Sequence, residues 1–99
     1  MRILVLLAYY NRPKMVHNAL RSLRDSTYKN FHVAFIDDGS DVSMEQELKK
    51  YPFDSTYYYT GDTLEGKLAR GGSILGCYLN KALMDNKDAD LVVILCDDD

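Results

Sequence analysis

Two groups of carboxylates in this chain each follow an apolar run. Three aspartates, residues 97–99, come directly after Leu-Val-Val-Ile-Leu-Cys, and Asp37 and Asp38 come after the apolar residues 31–36. Two unit charges about 6 Å apart, at an effective dielectric constant of about 20, repel each other by about 3 kcal/mol. A divalent cation removes that cost, and oxygen ligands favour Mg²⁺ or Mn²⁺, often together with substrate phosphates. The acids therefore predict a metal-bridged diphosphate, and the alternative is two solvated turns, in which Asp and Gly are common.

The elements that would place these acids begin with a strand and a helix. Residues 3–8 form a continuous apolar run, which is typical of a central strand covered on both faces. Pro13 suits the first turn of a helix, where its missing N–H costs nothing. Apolar residues at positions 16, 19, 20 and 23 then form one helical stripe. The first unit is therefore predicted to be a strand, a turn and a helix.

Three more strands and two more helices follow in the prediction. The strands are residues 31–36, 56–60 and 91–96. Ser43 and Gln46 have capping-box spacing for a short helix that ends near Tyr51. Residues 74–83 have helical spacing of apolar residues. Between the third strand and this helix, residues 61–72 contain four glycines and are predicted to be an irregular segment that serves a site or moves.

Alternation of strands and helices predicts the fold class. We expect an α/β fold with a mostly parallel sheet of about four strands and helices on both faces, similar to a Rossmann half-fold. All carboxyl ends of such a sheet share one edge, and ligands bind in the crevice outside them. Both acidic groups would then lie at the same edge.

Length and composition exclude several classes of protein. Ninety-nine residues correspond to a single domain, and 46% hydrophobic with 27% charged residues is a globular composition. The net charge of −3 argues against nucleic acid as a partner, because binding to phosphate backbones needs a basic surface. Because no apolar run approaches the roughly 18 residues that a bilayer requires, no membrane span is predicted.

The two cysteines, Cys77 and Cys96, lack the spacing of a metal site or a redox motif. Both fall within predicted regular elements, so we interpret them as small buried hydrophobic residues. They predict no disulfide framework and a reducing, cytoplasmic compartment.

Three short motifs, in this order, resemble a known family. They are Tyr-Asn-Arg-Pro at residues 10–13, Asp-Asp-Gly-Ser at residues 37–40 and Cys-Asp-Asp-Asp at residues 96–99. Each motif is weak alone, but the order and spacing resemble the amino-terminal half of a family 2 glycosyltransferase with the GT-A fold. The resemblance covers nearly the whole chain.

The resemblance implies a nucleotide-diphosphate sugar as the ligand, with a UDP-sugar favoured, bound together with Mn²⁺ or Mg²⁺. It places the backbone of Ala8 and the ring of Tyr10 against the base, and the carboxylate of Asp38 on the base or ribose. In the Asp-x-Asp motif, Asp97 would lie nearer the ribose and sugar, and Asp99 would bind the metal. A shift of one residue would instead put Cys96 first and Asp98 on the metal, so all three acids are candidates.

A basic turn near the nucleotide is the other part of the resemblance. Residues 69–72, Ala-Arg-Gly-Gly, resemble the Ala-Arg-Asn turn of the family, with Gly71 in place of Asn. Arg70 is therefore a candidate nucleotide contact, and the alternative is a solvated arginine. Lys67 carries the same charge and is a weaker candidate.

The family takes its general base and its acceptor surface from sequence beyond the Asp-x-Asp strand, and no residue here matches either role. We therefore expect residues 1–99 to be a single donor-binding domain of a metal-dependent glycosyltransferase with an unknown acceptor. It would lack the acceptor half or work with another chain. Apolar surface left uncovered by an incomplete sheet would favour a homo-oligomer. The alternative is a non-catalytic nucleotide-binding or interaction module that retains the fold.

Overall fold

The structure is a computed structural model that describes residues 1–71 and 75–96. Four strands and four helices are described in this part of the chain. In chain order they are β1 Ile3–Tyr9, α1 Pro13–Arg24, β2 Phe31–Asp37, α2 Glu45–Leu48, β3 Asp54–Tyr59, α3 Leu64–Arg70, α4 Leu75–Asp85 and β4 Leu91–Cys96.

The four strands form one sheet in the order β3-β2-β1-β4, and every pair is parallel. Tyr9 of β1 pairs with Asp37 of β2, and Asp37 in turn pairs with Tyr59 of β3. On the other side, Ala8 pairs with Cys96 of β4. The carboxyl ends of all four strands therefore meet at one edge, and the prediction of an α/β fold with a parallel sheet is confirmed.

Alternation along the strands gives the sheet two apolar faces. Val5 and Leu7 of β1 face the first core, where α1 contributes Val16 and Leu20 and the α2 region contributes Leu48. Phe35 of β2 is fully buried there and stacks on Tyr57 of β3 with ring centroids 5.2 Å apart. The helical stripe predicted for α1 is the face that covers this side of the sheet.

The alternate residues of the same strands face a second core under α4. Leu4, Leu6 and Ile36 pack there with Ala82 of α4, which is fully buried. The hydroxyl of Tyr58 on β3 also donates a hydrogen bond to a carboxylate oxygen of Asp85 at 2.8 Å. Helices on both faces of the sheet are therefore confirmed.

The prediction that residues 61–72 form an irregular segment is wrong for its described part, residues 61–71. Helix α3 occupies most of it and is capped by Thr63, whose hydroxyl accepts a hydrogen bond from the backbone N–H of Gly66 at 2.9 Å. Gly71 ends the helix in the left-handed conformation at φ 75°. Asn also adopts that conformation, so Gly71 in place of Asn is compatible with the same helix end.

Three smaller predictions are also wrong. β3 begins at Asp54, two residues earlier than predicted. The N-cap position of α2 is Met44, whose side chain makes no capping hydrogen bond. Among the described residues, the hydroxyl of Ser43 accepts from the backbone N–H of Glu45 rather than from that of Gln46, so the predicted capping box does not form. Cys77 is exposed on α4 and is not a core residue.

The outer strand β4 keeps much of its apolar surface in contact with solvent. Val92 is 40% exposed and Ile94 is 65% exposed. The expected homo-oligomer would cover this strand, and it stays a prediction. Within residues 1–71 and 75–96, no helix is long and apolar enough to cross a membrane.

Leu20 is the residue whose truncation tests the first core. It is fully buried between α1 and the sheet, so Leu20→Ala should lower the free energy of unfolding by about 2–5 kcal/mol. Met15 lies on the same helix but is 42% exposed, so Met15→Ala should change stability by less than about 0.5 kcal/mol. Urea unfolding followed by circular dichroism measures both, and equal losses would contradict the assigned helix face.

Candidate functional site

Asp37, the last residue of β2, holds the turn that follows it. One of its carboxylate oxygens accepts a hydrogen bond from the backbone N–H of Ser40 at 2.8 Å, and the other accepts from the hydroxyl of Tyr57. Its carbonyl oxygen accepts from the backbone N–H of Thr60 at 3.0 Å. The residue is fully buried. Both oxygens of a buried carboxylate need hydrogen-bond partners, and those of Asp37 have them within the protein. Asp37 therefore stabilises the turn.

Tyr57 keeps its proton in this position. Burial, followed by the hydrogen bond to Asp37, raises its pKa to about 12. Its hydroxyl oxygen also accepts from the backbone N–H of Met44 at 3.0 Å, which links β3 to the start of α2. The phenol is therefore a fixed donor to Asp37 at neutral pH.

The turns after β1 and β2 are joined by reciprocal hydrogen bonds. The backbone N–H of Asn11 donates to the hydroxyl of Ser40 at 2.8 Å, and the side-chain oxygen of Asn11 accepts from the backbone N–H of Asp41 at 2.9 Å. Asn11 has φ 50°, a left-handed conformation that Asn tolerates better than most residues. This arrangement brings Tyr10 and Asp38 to the same part of the edge.

Gly39 lets a third segment approach the turn. It has φ +85°, and a Cβ there would lie 1.8 Å from the backbone oxygen of Asp62. No side chain fits in that space. The segment before α3 therefore packs directly against the turn after β2.

Asp38 lies on the turn that Asp37 holds. Its side chain is 12% exposed, and one carboxylate oxygen accepts a hydrogen bond from the hydroxyl of Thr60 at 3.3 Å. The ammonium group of Lys67 is 3.4 Å from the other oxygen and donates to the Asp38 carbonyl oxygen at 2.6 Å. Asp38 is therefore neutralised by a cation from α3.

Lys67 also covers the ring of Tyr10. Its ammonium nitrogen is 3.7 Å from the ring centroid, well inside the range of a cation–π contact. The side chain of Lys67 is only 15% exposed. In the sequence Lys67 was the weaker candidate because only Arg70 lies in the turn that resembles the family's Ala-Arg-Asn. Recognising Thr63 as a helix cap would have placed Lys67 one turn into a helix that faces the edge.

Arg70 pairs with Asp62, which precedes α3. The guanidinium is 2.5 Å from a carboxylate oxygen of Asp62, whose side chain is only 4% exposed, whereas that of Arg70 is 45% exposed. Gly66 lies between them, since a Cβ there would be 3.1 Å from Asp62 and 3.3 Å from Arg70. Arg70 therefore braces the segment that packs on Gly39 and keeps an exposed side at the rim.

Ala8 is the other predicted site residue that the structure describes, and it lies on β1 at the centre of the edge. Ala8 is half-buried and pairs with Ile36 on one side and Cys96 on the other. Asp97, Asp98 and Asp99 lie outside the described residues. Within residues 1–71 and 75–96, no group of three or more His, Cys, Asp or Glu side chains could hold a metal ion.

The sequence model of the family described as glycosyl transferase family 2 matches residues 4–70. The chain belongs to glycosyl transferase family 2. The matched range runs from β1 through α3, so it contains Tyr10, Asp38, Lys67 and Arg70. The resemblance that the three motifs indicated is therefore confirmed.

Solved structures give the same result for the fold. The crystal structure of TarS residues 1–349 from S. aureus is similar to this family 2 domain, with a TM-score of 0.69 and 25% identity. The match covers 100% of this chain and 28% of the TarS chain. A search of curated protein sequences finds no significant match. The GT-A, Rossmann-like fold of this chain is therefore confirmed, and the chain corresponds to about a quarter of the TarS structure.

Gly39 and Gly71 make a matched pair of substitutions. Both have positive φ, so alanine at either should cost about 1–2 kcal/mol of stability from backbone strain. At Gly39 the new Cβ also meets Asp62, whereas at Gly71 no atom of residues 1–71 and 75–96 lies within 4 Å of it. Gly39→Ala should therefore lose about 1–3 kcal/mol more than Gly71→Ala in urea unfolding. Equal losses would show that the Asp62 segment does not pack on the turn.

Tyr57→Phe tests the support of Asp37. Loss of this donor leaves a buried carboxylate oxygen without its partner, so stability at pH 7 should fall by about 1–3 kcal/mol. Tyr59 is 52% exposed on the same strand, and Tyr59→Phe should change stability by less than about 0.5 kcal/mol.

The pH dependence of the same variant has a definite sign. The pKa of Tyr57 rises on folding to about 12, so its contribution to stability is complete below pH 10 and is lost between pH 10 and 12. Chemical unfolding across that range should therefore show a shallower fall in stability for Tyr57→Phe than for the unmodified protein. An unchanged slope would contradict the buried hydrogen bond.

Proposed function

We propose that this domain binds the donor of a glycosyl transfer, a nucleotide-diphosphate sugar with a UDP-sugar favoured, together with Mn²⁺ or Mg²⁺. The single observation that carries the proposal is the convergence of Tyr10, Asp38 and Lys67 at the carboxyl edge of a family 2 domain. An aromatic ring, a carboxylate and a cation are the groups that a base, its N–H or ribose hydroxyls, and a diphosphate require.

The base and ribose would lie against the turn after β1. In this proposal the backbone of Ala8 and the ring of Tyr10 contact the base, and Asp38 accepts hydrogen bonds from the base or ribose. The position of Asp38 supports this role, because the buried Asp37 and the hydroxyl of Thr60 hold its carboxylate at the rim. A carboxylate held in this way can accept without the cost of being ordered on binding.

The cations of α3 favour the diphosphate. Lys67 and Arg70 are three residues apart on this helix, so they lie on neighbouring positions of one face. Each is paired with an aspartate in the described residues, Lys67 with Asp38 and Arg70 with Asp62. Two flexible cations beside the base site would attract a dianionic or trianionic group.

The metal would be held by the terminal acids. Asp37 and Asp38 already have protein partners. Of the five acids in the two groups, the candidate metal ligands are therefore the other three, Asp97, Asp98 and Asp99. Carboxylate oxygens suit Mg²⁺ and Mn²⁺, and the last described residue before them, Cys96, pairs with Ala8 at the proposed donor site. When bound, the metal would neutralise charge on the departing diphosphate.

Transfer itself needs an acceptor and a base that removes the proton of its hydroxyl. We assign neither role to a residue of this chain. A second proposal is that this domain binds nucleotides without turnover by itself. The exposed free thiol of Cys77 supports placing either activity in a reducing compartment such as the cytoplasm.

Calorimetric titration tests donor binding. UDP-sugars should bind more tightly than GDP-sugars, and binding should weaken when Mn²⁺ is removed. Asp38→Asn and Asp99→Asn should each weaken binding at least about tenfold, since each loses a charged contact to the donor or metal of about 1.5–3 kcal/mol. Asp41 is exposed beside the same turn, and Asp41→Asn should bind normally. Absence of metal-dependent binding at millimolar ligand would rule out the donor site.

Turnover separates the two proposals. A glycosyltransferase domain that is active alone should release free UDP from the sugar that it binds, and Asp99→Asn should abolish that release. A binding module should bind the UDP-sugar without releasing UDP over hours. Coupled detection of free UDP at saturating donor distinguishes these results.

A further inference from the structure

Lys67 contacts both residues that the proposed function assigns to the base. Its ammonium nitrogen is 3.7 Å from the centroid of the Tyr10 ring and 3.4 Å from a carboxylate oxygen of Asp38. It also donates a hydrogen bond of 2.6 Å to the Asp38 carbonyl oxygen. The lysine therefore makes, inside the protein, the contacts that the proposed donor would make.

We propose that Lys67 is an internal competitor for the base position, displaced by the donor and then paired with the donor's diphosphate. This inference rests on the proposed function. It makes Lys67 a specificity-determining residue, because only a ligand that carries phosphates compensates the lysine for the contacts that it gives up.

The burial of the pair gives the competition its strength. The Lys67 and Asp38 side chains are 15% and 12% exposed, so solvent screens their attraction less than it screens a surface ion pair. A neutral nucleoside that displaces the ammonium breaks this pair and supplies no charge in return. A nucleoside diphosphate breaks the same pair and supplies two or more negative charges a few ångströms away.

The displacement needs no change in the fold. Lys67 reaches Tyr10 and Asp38 with a flexible four-carbon side chain that carries three rotatable donors. The helix that carries it is held independently, by the Thr63 cap at one end, Gly71 at the other and the Arg70–Asp62 pair beside it. A change of side-chain rotamer is therefore enough to move the charge away from the base position.

Two ligands and one variant separate this role from simple attraction of phosphate. Uridine and UDP are titrated calorimetrically into the unmodified protein and into Lys67→Met, which keeps the apolar stem and removes the charge. Removal of the competitor should tighten uridine binding at least threefold. The same variant should weaken UDP binding at least tenfold, because the diphosphate loses its cation. Lys49→Met, which removes an exposed lysine after α2, should change neither affinity.

The outcomes distinguish failure of the inference from failure of the proposed function. If UDP binds but uridine binding is unchanged or weaker in Lys67→Met, Lys67 is not a competitor, and the donor site stands. If neither the unmodified protein nor Lys67→Met binds UDP, both proposals fall.

A measurement on the unmodified protein covers the case in which Lys67→Met does not fold. The ring of Tyr10 should shift the ε-methylene protons of Lys67 upfield of those of the other lysines in NMR spectra of the free protein, and Tyr10→Leu should remove the shift. Saturating UDP should return the resonance to the ordinary lysine position. A resonance that starts there, or that stays upfield with UDP bound, would overturn the displacement.

Discussion

The site depends on the buried carboxylate of Asp37. Each of its oxygens holds a different part of the chain, the N–H of Ser40 within its own turn and the hydroxyl of Tyr57 on the neighbouring strand. Without these partners a fully buried charge would be costly, so the turn after β2 and the register of β3 are stabilised together. Asp38, the next residue, can then stand at the rim because its neighbour carries the structural role. Two adjacent aspartates thus do different work in the same motif.

Electrostatic balance at the edge comes from α3 as well as from any bound metal. Repulsion among five acids was the reason to expect a cation, but two of the five have protein partners. Lys67 neutralises Asp38, and Arg70 neutralises Asp62, whose side chain is also buried. The edge is therefore a set of paired charges in which a phosphate group could exchange with a carboxylate. A site of this kind can be stable when empty and still attract an anionic ligand.

Sequence patterns predicted the sheet well and α3 poorly, for a physical reason. The buried strands and α1 are governed by apolar periodicity, which is local and readable. Gly66 lies inside α3, where a glycine normally weakens a helix, because a side chain there would crowd Asp62 and Arg70. Of the glycines that indicated a loop, Gly66 is thus explained by the close approach of Asp62 and Arg70, and Gly71 by the left-handed end of α3. Lys67 was the weaker candidate because it has no motif match, and its contacts with Tyr10 and Asp38 form only when α3 packs at the edge.

The sequence by itself determined the alternation of strands and helices, the single edge that gathers the polar turns, and the three motifs that identify the family. Only the tertiary structure decided which carboxylates already have a hydrogen-bond or ion-pair partner within the protein. Tyr57, which donates to Asp37, is 20 residues away from it in the chain, and Lys67, which donates to Asp38, is 29 residues away. Periodicity and capping rules act over a few residues, whereas these pairs form only after β3 and α3 pack beside β2. The chemistry available at the edge is therefore a property of the packing, although the residues that supply it can be read along the chain.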